Sequence, residues 1–134
     1  MKSIFKLFIL VFMLSCSKHE VSSQEKSQGY NMLLIGNSFF KPYAMKLNDL
    51  AIHAGFENHR SLRITRGGVN GRPINFWNDS NSNEHLQIKA ALDQGNIDVF
   101  AMTAGNEPED RTEGHRAWIN YALQNNPNIT IFIA

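Results

Sequence analysis

Apolar residues along this chain come in short runs and in stripes, and the two patterns alternate. Met32–Ile35 (MLLI) is an unbroken apolar run, as expected of a strand buried on both faces. Tyr43, Leu47, Leu50, Ala51 and Ala54 then recur at helical spacing, with Gly55 placed to end the helix. Leu62 and Ile64 alternate with Arg63 and Thr65, which predicts a half-exposed strand. Gly67 to Asn83 reads as a long irregular stretch rich in Gly, Asn and Ser, and loops of that length inside a small domain are usually functional. The spacing predicts a short helix over Glu84 to Gln94, with Leu86, Ala90 and Leu92 inward and Gly95 closing it. Ile97–Thr103 is a second buried strand. Thr112 or Asp110 caps a helix carrying Trp118, Ile119 and Ala122, and Ile129–Ala134 is a third fully apolar strand. This order predicts an α/β fold, a parallel sheet with helices on both faces.

The first residues follow a different rule. Lys2 and Lys6 precede an apolar run, Leu7 to Leu14, which ends at Ser15-Cys16. A basic start, a short apolar core and a small residue describe a secretory signal, and the run falls well short of the roughly 20 residues needed to span a bilayer. Leu14-Ser15-Cys16 resembles a bacterial lipobox, with Met13 an unusual third residue before the cysteine. The expectation is a signal over residues 1–15 and lipidation at Cys16, against the blander alternative of an ordinary signal with an incidental cysteine. Residues 16–29 are polar and aperiodic and read as a tether, and residues 30–134 form the domain. The protein is then exported, in the cell envelope or periplasm, and meets a membrane only through its lipid. Cys16 is the chain's single cysteine, so no internal disulfide supports the core.

Charge narrows the partners further. The chain has 13 basic and 12 acidic residues, and the leader takes Lys2 and Lys6 from the first count, so the remainder is close to neutral. That balance argues against a nucleic-acid groove or a polybasic membrane surface. Arg60, Arg63, Arg66 and Arg72 read as the solvated face of an edge strand. His53 and His59 lie near no carboxylate or thiol pair at metal-ligand spacing, so no metal or other cofactor is expected.

In parallel sheets ligands gather at the carboxyl ends of the strands. Three such ends carry small or amide-bearing residues: Gly36-Asn37-Ser38, Gly67-Gly68 and Gly105-Asn106-Glu107. Gly, Asn and Ser also favour turns on their own account, so each motif alone is weak. Taken in order, the three resemble a known family. LLIGNSFF looks like the first block of the SGNH (GDSL-like) hydrolases, in the subgroup with Gly-Asn-Ser; ITRGGVNG is similar to the second block and VFAMTAGNE to the third. The resemblance covers Asn31 to Ala134. It implies a flavodoxin-like, three-layer αβα sandwich, with Ser38 as nucleophile and Gly68 and Asn106 as oxyanion donors. Gly67 or Gly71 stands open as the second-block glycine in place of Gly68. Where the family's third block reads Gly-x-Asn-Asp, Gly105 here directly precedes Asn106, and Glu107 takes the aspartate's place.

These residue types suit ester hydrolysis. Attack on an ester carbonyl drives negative charge onto its oxygen, and preorganised donors aimed there are often the largest catalytic effect. Glycine lets the backbone approach closely, and asparagine donates without carrying charge. A serine also needs a base, which the family takes from an Asp-x-x-His motif near its C-terminus. No such motif stands in a suitable place here, and His53, His59, His85 and His115 read as surface or capping residues. The expectation is an N-terminal portion of a longer hydrolase, C-terminally incomplete and nearly inactive alone, whose substrate is a small-molecule or carbohydrate ester. Two rivals are a non-catalytic envelope protein binding carbohydrate or acyl groups on the same fold, and a flavodoxin-like phosphate module. The bulky SFFKPY after the first strand disfavours the second rival.

Overall fold

The apolar run after Tyr30 becomes the centre of a sheet. The structure is a computed structural model and describes residues 27–103 and 112–134. In it β1 (Asn31–Gly36) pairs in parallel with β2 (Arg60–Thr65) on one side and with β3 (Val99–Met102) on the other. β4 (Thr130–Ile133) continues the sheet beyond β3, also in parallel, giving the order β2-β1-β3-β4. Leu33, Leu34 and Ile35 are wholly buried, because β1 has neighbours on both edges and helices over both faces.

Side-chain alternation along β1 and β3 sends two sets of residues to opposite faces. Leu33, Ile35, Phe100 and Met102 meet Phe76, Ile88, Leu92, Trp118 and Ala122. These come from α2 (Pro73–Asn78), α3 (Asn83–Asp93) and α4 (Glu113–Asn125). Trp118 is fully buried and donates its Nε1–H to the Pro73 carbonyl at 3.0 Å, so its one polar atom is satisfied inside the core. Trp77 stacks edge-on against it at 4.8 Å between ring centroids. On the other face, among the described residues, Leu34 and Ala101 meet Phe40 and Ala44 of α1 (Phe40–His53), with Met32 packed beside them.

The α/β order with a parallel sheet matches the reading of the pattern, and several details depart from it. Gly67 to Asn83 is not irregular throughout: Gly68–Gly71 forms a 3-10 turn, and α2 follows with Pro73 at its first position, where a missing N–H costs nothing. α3 turns His85, Ile88, Ala91 and Leu92 inward, while Leu86 and Ala90 face solvent. His85 looks polar in the sequence, but its Nδ1–H donates to the Phe76 carbonyl at 2.9 Å, which lets the ring join the core and turns this face inward. Thr112 precedes α4 without a side-chain capping bond, and Asp110 lies outside the described residues. β4, though apolar, sits at an edge of the described sheet with Phe132 and Ile133 about half exposed. In α1 the apolar stripe at helical spacing is mostly outward: Tyr43 and Leu50 are exposed, and Phe40 and Ala44 are the buried residues.

Candidate active site

The turn after β1 is built by its own side chains. Asn37 Oδ1 accepts the Phe39 and Phe40 N–H groups at 3.0 and 3.2 Å, and the Asn37 carbonyl accepts the Lys41 N–H at 3.1 Å. Asn37 therefore closes the turn that leads into α1, and its side chain takes up the N–H groups of Phe39 and of the first helical residue, Phe40. Ser38 lies in that turn, two residues before the helix begins, and is exposed. Among the described residues neither its hydroxyl nor its N–H has a hydrogen-bond partner. No acidic residue occupies the first turn of α1, so the partial positive charge of the helix start, two residues after Ser38, is not offset there.

Two glycines let the neighbouring turn close on this one. A Cβ at Gly71 would stand 2.5 Å from Asn37 Cα, 2.6 Å from the Arg66 carbonyl oxygen and 2.7 Å from that of Gly36. Only a residue without a side chain fits against that backbone. A Cβ at Gly36 would in turn meet the Phe40 ring at 2.7 Å. The chain leaving β2 is fastened to the same turn by the Arg66 N–H, which donates to the Gly36 carbonyl at 3.1 Å. Gly68 takes a left-handed conformation, φ 54°, and a Cβ there or at Gly67 would meet nothing within 4 Å. Gly71 is thus the glycine pressed on the Ser38 turn, and Gly68 is the one that bends the exposed backbone.

Arg66 holds this arrangement from outside. Its guanidinium donates to Glu84 and pairs with Asp79, both at 3.0 Å, and lies 5.0 Å from the centre of the Phe76 ring. The hydrogen bond from Arg66 holds the Glu84 carboxyl below its ordinary range, and the bond to Glu84 raises Arg66 above its own. Of the four arginines read as a solvated strand face, Arg60 and Arg63 are exposed on β2, whereas Arg66 is a clamp between β2 and α3. Nothing in the local sequence distinguishes Arg66, since its partners lie 13 and 18 residues downstream.

β3 ends beside this pair of turns: the Thr103 N–H donates to the Ile35 carbonyl at 3.0 Å. Gly105, Asn106 and Glu107 follow within a few residues and lie outside the described residues, as does Cys16. The crevice between β1 and β3 is where strand order reverses, the usual ligand position in an open α/β sheet. His115 is buried, and its Nε2–H donates to the Thr103 carbonyl at 2.9 Å. It ties α4 to the end of β3, which corrects its reading as a surface or capping residue; His85, buried beside Trp77 and Trp118, is corrected likewise. His53 is exposed and bonds the Asp49 carbonyl. His59 is half-buried, and its Nδ1 accepts the Tyr30 N–H at 3.3 Å.

Among the described residues no group of His, Cys, Asp and Glu side chains is arranged to hold a metal ion, and no helix is long and apolar enough to cross a membrane. The chain matches no protein-family model, no curated protein and no solved structure.

Proposed function

We propose that the chain is a serine hydrolase of the SGNH type, on that family's three-layer αβα fold, acting on O-acyl esters, with carbohydrate esters among its substrates. The observation that supports it most is the meeting of two turns at one sheet edge. The turn closed by Asn37 presents Ser38 just before a helix start, and the Gly67–Gly71 turn closes on it, in the order of the family's first two blocks. In this reading Ser38 Oγ attacks the ester carbonyl carbon, and the carbonyl π electrons move onto oxygen. The Ser38 N–H, the Gly68 N–H and the Asn106 side-chain amide receive that charge, each worth ~3 kcal/mol of barrier if removed. Collapse expels the alcohol, and water then cleaves the acyl-serine.

The Ser38 proton has to pass to a base and on to the leaving alcohol. Ser38 Oγ has no hydrogen-bond partner among the described residues, which also favours the second reading, a non-catalytic carbohydrate or acyl binder. Soluble imidazole separates the two. With a short-chain chromogenic ester, the chain alone is expected to turn over little, and added imidazole is expected to raise a Ser38-dependent rate that Ser38→Ala removes. No Ser38-dependent rate with imidazole would leave the binder as the better account. Strong hydrolysis without imidazole would point to a resident histidine as base. We further propose that Cys16 is lipidated and fixes the protein in the cell envelope, with Cys16→Ala expected to move it to soluble fractions. One acyl chain binds a membrane only marginally, so stable attachment takes more than one.

A further inference from the structure

Among the described residues no histidine stands ready to take the Ser38 proton. His85 and His115 are buried and bonded to the Phe76 and Thr103 carbonyls, and His53 and His59 lie toward the amino edge of the sheet, opposite Ser38. One helical turn after the serine, in Ser38-Phe39-Phe40-Lys41, comes a primary amine. The Lys41 N–H donates to the Asn37 carbonyl at 3.1 Å, and Phe39 has helical backbone angles, φ −74° and ψ −36°. The chain from Asn37 to Lys41 therefore winds as one turn. Side chains three residues apart on such a turn are neighbours, with Cβ atoms about 5–6 Å apart, and a flexible lysine stem spans that gap.

Lys41 also stands on the side of α1 where the site is built. Asn48, seven residues on, shares its face, and Asn48 Oδ1 accepts the Ser61 hydroxyl of β2 at 3.3 Å. That face looks toward β2, from whose end the Gly67–Gly71 turn closes on Asn37. Both Ser38 and Lys41 are exposed, and among the described residues neither side chain has a hydrogen-bond or ion-pair partner. Lys46, on the same helix, is instead paired with Asp49 at 3.6 Å. No acidic residue lies in the first turn of α1 to pair with Lys41 in the same way.

We infer that Lys41 is the general base of Ser38, a serine–lysine dyad within the hydrolase proposed above, on which this inference rests. The free amine takes the Ser38 Oγ proton as Oγ bonds to the ester carbonyl carbon. The ammonium returns that proton to the leaving alcohol as the ester C–O bond breaks. In the second half the amine takes a proton from the attacking water and passes it to Ser38 Oγ as the acid departs. An alkyl ammonium keeps its proton at neutral pH, so the dyad works in the alkaline range and the chain alone turns over little below it. Arg63 on the neighbouring strand cannot take this role, because a guanidinium does not give up its proton in proteins.

The test is labelling of the full chain with an alkyl fluorophosphonate, in which Ser38 Oγ bonds to phosphorus, fluoride leaves and the base takes the proton. Mass spectrometry reads the rate at Ser38. Wild-type labelling is expected to climb between about pH 7 and about pH 10 as the amine loses its proton. Lys41→Met should lower the alkaline rate about a hundredfold and flatten the climb, and Lys41→Arg should do the same. Lys46→Met should keep the wild-type profile. Added imidazole should restore Ser38 labelling to Lys41→Met, a rescue that a lysine needed only for folding would not allow. A wild-type alkaline profile in Lys41→Met would overturn the dyad, and imidazole-driven labelling of Ser38 would then leave the serine hydrolase reading standing. A loss in Lys41→Met that imidazole fails to restore would also overturn the dyad. Ser38 unlabelled under every condition would overturn both.

Discussion

Among the described residues, the face of the sheet under α2, α3 and α4 is closed, and the face under α1 is half open. Both faces start from the same strands, whose residues alternate between them, so strand composition alone does not explain the contrast. Three helices bring Phe76, Ile88, Leu92 and Trp118 down onto Leu33, Ile35, Phe100 and Met102. Among the described residues, one helix brings Phe40 and Ala44 onto Leu34 and Ala101. The chain therefore keeps its stability on one side and its unfilled apolar surface on the other, with the Ser38 turn at the carboxyl edge between them. Apolar patches of this kind on small proteins mark interaction surfaces.

The largest expected effect tests that division directly. Trp118→Ala should cost about 3–5 kcal/mol, because it empties a fully buried site and leaves the Pro73 carbonyl without its donor. Leu50→Ala, on the open side, should stay within about 0.5 kcal/mol. Urea unfolding of both variants compares them on one scale. Equal losses would mean that α1 is as deeply packed as α4.

A smaller effect sharpens the contrast between the two glycines of the second turn. Gly71→Ala drives a methyl into the Asn37 and Gly36 backbone and should cost about 1–3 kcal/mol, with a shift in the amide signals of Asn37 and Ser38. Gly68→Ala meets open space and carries only the left-handed backbone penalty, about 1–2 kcal/mol, with the Ser38 turn undisturbed. If Gly68→Ala moved the Ser38 signals more than Gly71→Ala did, the contact between the turns would be misassigned.

The smallest effect concerns acid. Glu84 has a carboxyl held below its ordinary value by the hydrogen bond from Arg66, so its share of stability is present above the ordinary glutamate range. That share is lost as pH falls through the lowered value, when protonation breaks the bond to Arg66. Glu84→Gln should therefore flatten the acid limb of a stability–pH curve and leave its shape near neutrality unchanged. An acid limb of wild-type slope in Glu84→Gln would place the titration elsewhere.

Much of this arrangement was legible in the residues, and the exceptions share a cause. β1, α1, β3 and α4 announce themselves through runs and stripes, because burying them takes only apolar side chains at the right period. α2 is six residues long, too short to show a period, and its signal was Pro73 followed by Phe76. The inward faces of α3 and α4 depend on His85 and His115, whose rings are buried because the Phe76 and Thr103 carbonyls accept their N–H groups. Those acceptors are set by tertiary packing, which a linear pattern does not contain. The stripe of α1 has the spacing of a helix, but nothing in that spacing says which of its faces packs on the sheet, and among the described residues Tyr43 and Leu50 lie outward. At the site, Ser38, Gly68 and the alternatives Gly67 and Gly71 were singled out by residue type. The pressing of Gly71 on Asn37 became visible only in three dimensions.

The central claim is that Ser38, Gly68 and Asn106 act as one oxyanion site, and it can be tested without a base. Titration of the isotope-labelled chain with a phosphonate monoester, a tetrahedral anion shaped like the reaction intermediate, reads all three donors by nuclear magnetic resonance. The account predicts that the backbone amides of Ser38 and Gly68 and the side-chain amide of Asn106 shift together, with one shared affinity, while Ser80 stays still. Shifts at separate affinities, or Ser38 and Asn106 failing to respond to the same anion, would contradict it.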